Sequence, residues 1–203
     1  MAVETTGDKK ATVVTPERFQ QGLTYQGFLA GIKVNLDRFG QYYETAKGAL
    51  APEDVAFFKR AAQKKGGACR VLVLGEDWCP DVYRGMPVVA RVAESAGIEM
   101  RVFPRDANLD VMNEFLNKGL HQSIPVAVFY TADQKYLCHW IERPQQANQE
   151  IAEINAQIER EMAGQDEQAV RRTRRERTNA RFPDWQKATV RELREMLART
   201  LSL

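Results

Sequence analysis

At residue 71 the apolar pattern of this chain switches from a helical period to a short unbroken run, and that switch restricts the fold more than any other feature. Val71-Leu72-Val73-Leu74 places four apolar side chains in succession. Successive residues of a strand point to opposite faces, so such a run has to be covered on both sides. Pro80 to Ala96 then has helical spacing and stops at Gly97. Ile98, Met100 and Val102 alternate with polar residues, the signature of a second strand. Asn108 is placed to cap a helix carrying Leu109, Met112, Phe115 and Leu116. Pro125 to Phe129 reads as a third strand, and a turn around Ala132-Asp133-Gln134 leads to a fourth, Tyr136 to Ile141. That connection is too short for a crossover, so these two strands pair antiparallel. Helical spacing resumes at Ile151, Ile154, Ile158 and Met162. Residues 69–162 therefore read β-α-β-α-β-β-α, an α/β unit with helices on both sides of a mixed central sheet.

Helical extensions flank this unit. Residues 1–68 form an N-terminal extension expected to pack on the core, with residues 1–14 polar and frayed. Thr15-Pro16-Glu17 starts a helix, with Thr as N-cap and Pro in the first turn. From Thr24 onward Phe28, Ile32, Leu36, Phe39 and Tyr43 recur at helical spacing, which predicts one long amphipathic helix. Pro52-Glu53-Asp54 opens another, carrying Val55, Phe58 and Ala62 and stopped by Lys64-Lys65-Gly66-Gly67. Residues 163–203 form an arginine-rich C-terminal extension. No apolar stripe is visible over 165–181, whereas Val190, Leu193, Leu197 and Leu201 give a last amphipathic helix that must dock on something. That stripe is also the ground for expecting a homo-oligomer.

The composition excludes several classes. With 203 residues, 44% of them hydrophobic, the chain is long enough for one substantial core. A net charge of +2 selects no anionic partner. The start, MAVETTGDKK, has no apolar h-region, and no run approaches the ~18 apolar residues of a membrane span. Three cysteines, an odd number, argue against a disulfide scaffold and for a reducing, cytoplasmic setting. Six arginines fall in residues 169–181, beside Asp166, Glu167 and Glu176. They read as a solvated helix face rather than a nucleic-acid site, since no aromatic partner for base stacking is nearby. His121 and His139 lack metal-ligand spacing, so no metal and no cofactor are expected.

Chemistry concentrates at Glu76-Asp77-Trp78-Cys79-Pro80-Asp81-Val82. Cys79 stands where a strand ends and a helix begins. Unpaired amides of the first helical turn favour its thiolate, and Pro80 costs nothing there because its missing N–H would have been an orphan. Glu76, Asp77 and Asp81 oppose a further negative charge, which leaves the sign of the net shift open. Cys69 and Cys138 fall in strands, so Cys79 is expected to be the most accessible thiol. Cys69 lies at the far end of the first strand, roughly 20 Å from Cys79. A disulfide needs Cα atoms within about 7 Å.

The stretch from Thr24 to Pro144 resembles bacterial proteins of the thioredoxin family that carry an N-terminal helical extension. The resemblance rests on Glu76-Asp77-Trp78-Cys79 after a buried strand, Phe103-Pro104-Arg105-Asp106 after the second, Ser123-Ile124-Pro125 before the third, and Pro87 inside the helix after Cys79. It implies a thioredoxin-like fold, with Cys79 as nucleophilic thiol, Trp78, Pro80 and Asp81 around it, and Ile124-Pro125 as the cis-proline facing it. Two positions depart from the family. Val82 stands where the resolving cysteine belongs, and Val73 where the buried acid would carry a proton. Two readings follow: monothiol exchange at Cys79 with a protein or low-molecular-weight disulfide, or a redox-inactive binding or structural module.

Overall fold

The computed structural model describes residues 12–203; residues 1–11 of the expected frayed start lie outside the described residues. Residues 12–14 are pinned rather than frayed. Thr12 Oγ1 and Val13 N both donate to the Glu114 carboxylate at 2.6 Å, and Val14 is fully buried.

Strands β1 (Arg70–Gly75), β2 (Glu99–Pro104), β3 (Val126–Tyr130) and β4 (Tyr136–Ile141) form one sheet in the order β2-β1-β3-β4. β2 runs parallel to β1, and β3 runs antiparallel to both β1 and β4. The unbroken apolar runs occupy the centre. Val71 to Leu74 and all of β3 are excluded from solvent, while β2 at the edge buries only Val102 and Phe103.

The helices are α1 (Pro16–Gln20), α2 (Tyr25–Gly31), α3 (Leu36–Thr45), α4 (Pro52–Gln63), α5 (Pro80–Ala96), α6 (Leu109–Met112), α7 (Gln145–Glu161), α8 (Glu167–Ala180) and α9 (Phe182–Leu201). α5 is the hub, packed on β1, β2, α3, α4 and α9. Gly75 permits its close approach. A Cβ there would lie 2.6 Å from Met86 Cε and 2.8 Å from Val82 Cγ1.

The single long helix expected from Thr24 is two helices. Ile32 is extended and Asn35 adopts a left-handed φ of 62°. The break is held from outside: Asp77 Oδ2 accepts from Lys33 N at 2.8 Å and Val34 N at 3.3 Å, and Asn35 Nδ2 donates to Asp77 O at 2.9 Å. The apolar spacing survives the break because Phe28 and Phe39 still meet edge to face, 5.7 Å apart. The helix expected after Asn108 is a single turn. Asn108 Nδ2 donates to Pro104 O and its Oδ1 accepts from Arg18, so the side chain does not cap.

α9 begins at Phe182, well before its predicted stripe. Val190, Leu193, Leu197 and Leu201 are buried against α4, α5 and β4. The stripe that suggested self-association is consumed within the chain. The main partners of α7 are α8 and α9. Glu192 joins these layers, accepting from the Trp140 indole at 3.0 Å and from Gln145 N, at the start of α7, at 2.7 Å. α8 buries no side chain and rests on ion pairs: Arg171 with Glu167, Arg177 with Glu161 and Arg181 with Glu150, as a helix polar all round requires. Among the described residues no helix is long and apolar enough to cross a membrane.

Leu193 is fully buried, so Leu193→Ala should cost about 2–5 kcal/mol, read as a lower urea midpoint, while Arg174→Ala on α8 should leave the midpoint in place. Hydrogen bonds from Arg181, Gln146 and Trp185 hold the Glu150 carboxyl down to about 2. A depressed carboxyl stabilises the folded chain above the ordinary glutamate range, and that contribution is lost as pH falls toward 2. Unfolding followed against pH should therefore show an acid-side loss of stability that Glu150→Gln flattens.

Candidate functional site

β1 ends at Gly75, and the chain turns through 76–78 into α5, whose N-cap is Cys79 (φ −84°, ψ 123°). Val82 N and Tyr83 N close the first turn on Cys79 O at 3.1 and 3.2 Å. Across from it, the Ile124–Pro125 peptide is cis, and Cys79 Sγ lies 3.8 Å from Ile124 O. The Pro125 ring rests on α5 where position 85 has no side chain. A Cβ on Gly85 would meet Pro125 Cγ at 3.2 Å and Trp140 Cη2 at 3.3 Å. Trp78, Cys79, Pro80, Asp81, Val82, Ile124 and Pro125 thus share one corner of the fold, at the N-terminus of α5.

Cys79 is only 9% exposed. Burial pushes its thiol above the ordinary value; the Val82 and Asp81 amides pull the other way, the Asp81 carboxylate raises it and Arg143 lowers it. The open sign is therefore upward. Cys69 is more exposed than Cys79, which reverses the expected order of accessibility; its Sγ donates to Ala62 O at 3.4 Å. Cys138 is buried, and burial pushes its thiol up to about 12. All three cysteines are free. Cys69 and Cys79 lie beyond opposite ends of β1.

The three carboxylates expected to oppose the thiolate have separate duties. Glu76 accepts from Asp106 N at 2.8 Å and Asp77 holds the 32–35 break, so Asp81 alone among them acts on Cys79. Arg143 Nη2 lies 2.9 Å from Asp81 and Arg84 Nη1 3.8 Å. Burial raises the Asp81 carboxyl, against both arginines. The Arg84 guanidinium lies 4.0 Å above the Phe182 ring, and Arg143 also pairs with Glu142. These residues, with Trp140 and Trp185, wall a crevice of ≈ 20 Å³, room for about one water. Sequence reasoning missed Arg84, Arg143 and Glu142. The i,i+3 spacing from Asp81 was a signal for Arg84; Arg143 arrives only because β4 ends beside α5.

The second motif knits the loop together. Arg105 stacks 5.2 Å from the Trp78 ring and donates to Gln122 O at 3.3 Å, joining the half-exposed indole to the chain before Pro125. Val82 and Val73 are fully buried. Val73 pairs with Val102 and Ala127 in the sheet, amid apolar neighbours. His121 is exposed, and His139 Nδ1 is 2.7 Å from Tyr136 Oη. No group of metal-ligating side chains is assembled among the described residues.

The sequence profile of the family described as Thioredoxin matches residues 22–159. Two solved structures resemble most of the chain. A protein of unknown function from Pseudomonas aeruginosa is 15% identical, with a TM-score of 0.62 over 92% of this chain and 99% of its own. An HIV epitope scaffold is also 15% identical, with a TM-score of 0.62 over 93% and 99%. At that identity the likeness concerns the fold. No curated protein matches the chain.

A thiol raised by burial holds no more than a few per cent thiolate at neutral pH. Alkylation of Cys79, followed by timed peptide mapping, should accelerate about tenfold per pH unit below its pKa. Asp81→Asn should quicken the reaction at pH 7 by removing a neighbouring negative charge, and Arg143→Gln should slow it. Identical profiles for all three proteins would separate Asp81 and Arg143 from the thiol.

Proposed function

The chain belongs to the thioredoxin family, and on that premise we propose that it carries out thiol–disulfide exchange in the cytosol through one thiol, Cys79. The observation that supports this reading is the placement of Cys79 Sγ at the first turn of α5, 3.8 Å from the carbonyl that precedes Pro125. In the exchange the Cys79 thiolate attacks a disulfide RS–SR′. One S–S bond forms to Cys79, the substrate bond breaks, and R′S⁻ leaves and is protonated by solvent. An external thiol R″SH, as its thiolate, then attacks the R sulfur, forming RS–SR″ and returning the Cys79 thiol. The second step is external because Val82, the position one turn on, carries no sulfur. Trp78 shields the mixed disulfide, Pro80 and Asp81 shape the turn, and the Ile124 backbone pairs with an extended substrate segment beside Pro125. The substrate is a protein or low-molecular-weight disulfide, and no cofactor enters.

A second reading, a redox-inactive binding module, draws support from the burial that raises the Cys79 thiol. Incubation with glutathione disulfide followed by mass spectrometry separates the two. Exchange predicts one glutathione adduct on Cys79 that dithiothreitol removes and Cys79→Ser abolishes; an unmodified Cys79 would leave the binding module.

Val82→Cys should gain dithiol activity in insulin reduction with dithiothreitol, because a thiol one turn after Cys79 can attack the mixed disulfide. It should stay slower than a full thioredoxin, since Val73 carries no proton. Val82 is fully buried against Gly75, so the smaller side chain should also cost roughly 1 kcal/mol. Equal activity of wild type and Val82→Cys would place the resolving thiol elsewhere.

A further inference from the structure

Helix α8 has two unlike faces, and its arginines divide between them. The side toward the core carries Val170, Thr173 and Arg177, all partly buried. There Arg177 pairs with Glu161, and Arg181, just past the helix, donates to Glu150 at 2.8 Å. Those two guanidinium groups dock the helix on α7. At about 100° per residue, Arg171, Arg172, Arg174 and Arg175 fall within roughly 160° of arc on the opposite side, and all four are exposed.

The outward face carries more positive charge than the chain itself balances. Arg171 pairs with Glu167 one turn away, and Asp166 caps the helix, accepting from Ala169 N at 3.0 Å. Arg172, Arg174 and Arg175 form no ion pair among the described residues. Glu176, exposed at the edge of this face, forms none either, so three free cations stand against one free acid. Six of the 29 cationic side chains but only three of the 27 acids fall in residues 166–181. Like charges three and four residues apart, as in Arg171–Arg174, Arg172–Arg175 and Arg171–Arg175, repel along a helix. None of these side chains is buried, so folding gains nothing from the cluster.

The surroundings of the cluster select among polyanions. A helix that lies on a membrane sets Trp, Phe or Leu beside its cations, and the apolar side chains of α8 are Ala169, Val170 and Ala180 alone. A protein partner is held by an apolar or aromatic centre inside a polar rim, which the arginine face lacks. Single strands stack their bases on aromatic rings, and α8 has none. A duplex needs only cations, since it presents one phosphate charge about every 1.7 Å of its axis. The planar guanidinium fork matches phosphate oxygens.

We propose that the 171–175 face of α8 binds double-stranded nucleic acid through its phosphates, without reading sequence. The contact does not involve Cys79 and stands under either reading of that thiol.

The test uses the full chain and the fluorescence anisotropy of labelled duplexes of about 20 bp, one DNA and one RNA, between roughly 50 and 200 mM salt. Three phosphates neutralised by three arginines give a log–log salt slope of about −3, or roughly fortyfold weaker binding across that range. Arg172→Gln/Arg174→Gln/Arg175→Gln should bind more weakly and lose most of that slope, changing by less than about fourfold, while its urea midpoint stays at or above that of wild type. Glu176→Arg should bind more tightly, with a slope steeper by about one. Equal affinity for the two duplexes assigns the site to the phosphates they share; a preference for one assigns it to that backbone geometry. No duplex binding at roughly 50 mM salt, or an unchanged slope in the glutamine variant, overturns the proposal. So does equal or tighter binding of single strands, phosphatidylserine vesicles or polyglutamate. Should the glutamine variant fail to fold, an unchanged affinity of Glu176→Arg overturns it instead.

Discussion

Helix α5 lies against β1 with no room for a side chain at position 75, and the site is built from that contact. Met86 and Val82 fill the space a Cβ would need, so the first turn of α5 sits directly on the end of the central strand. Cys79 is then the N-cap, and the segment before β3 passes over it. A second missing side chain, at Gly85, lets the Pro125 ring and Trp140 close on the same helix. Interiors are packed to crystal-like density, so one methyl at either glycine would have to displace these neighbours.

Magnitudes decide the state of the thiol. A helix N-terminus contributes about 0.3–1 kcal/mol toward a nearby anion and up to about 2 kcal/mol where the site is partly buried, against roughly 1.4 kcal/mol for one pKa unit. Desolvation of a buried group can shift its pKa by several units. With Cys79 only 9% exposed, burial wins over the amides of the first turn, and the Asp81 carboxylate adds to it. Burial likewise raises the Asp81 carboxyl, while its ion-pair partners Arg143 and Arg84 pull it down. Removing one partner of such a buried pair commonly costs about 3–5 kcal/mol. The corner therefore holds a protected thiol next to a clamped carboxylate.

The parts added to the central unit are integral to it. α9 supplies Leu193 and Leu197 to the same apolar cluster as β1 and β3, and its Glu192 ties β4 to the start of α7. The α2–α3 elbow is likewise defined by Asp77, in the loop before Cys79. Ends and centre share one core, so sequence position is a poor guide to which segments form the site.

The sequence by itself determined what depends on neighbours a few residues apart. The alternation of strands and helices over 70–141 was legible because burial of both sheet faces forces unbroken apolar runs and helix faces force three-and-four spacing. The same holds for Cys79 at a helix start, for α5 ending at Gly97, and for the valines at 73 and 82. The tertiary structure alone decided the break at 32–35, where the apolar period runs on unchanged but Asp77, more than forty positions later, supplies the bonds that the freed amides need. It also decided the burial of Cys79, the arrival of Arg143 at Asp81, and the docking of α9. Desolvation and pairing of charges depend on which distant segments close over a group, and no local spacing records that.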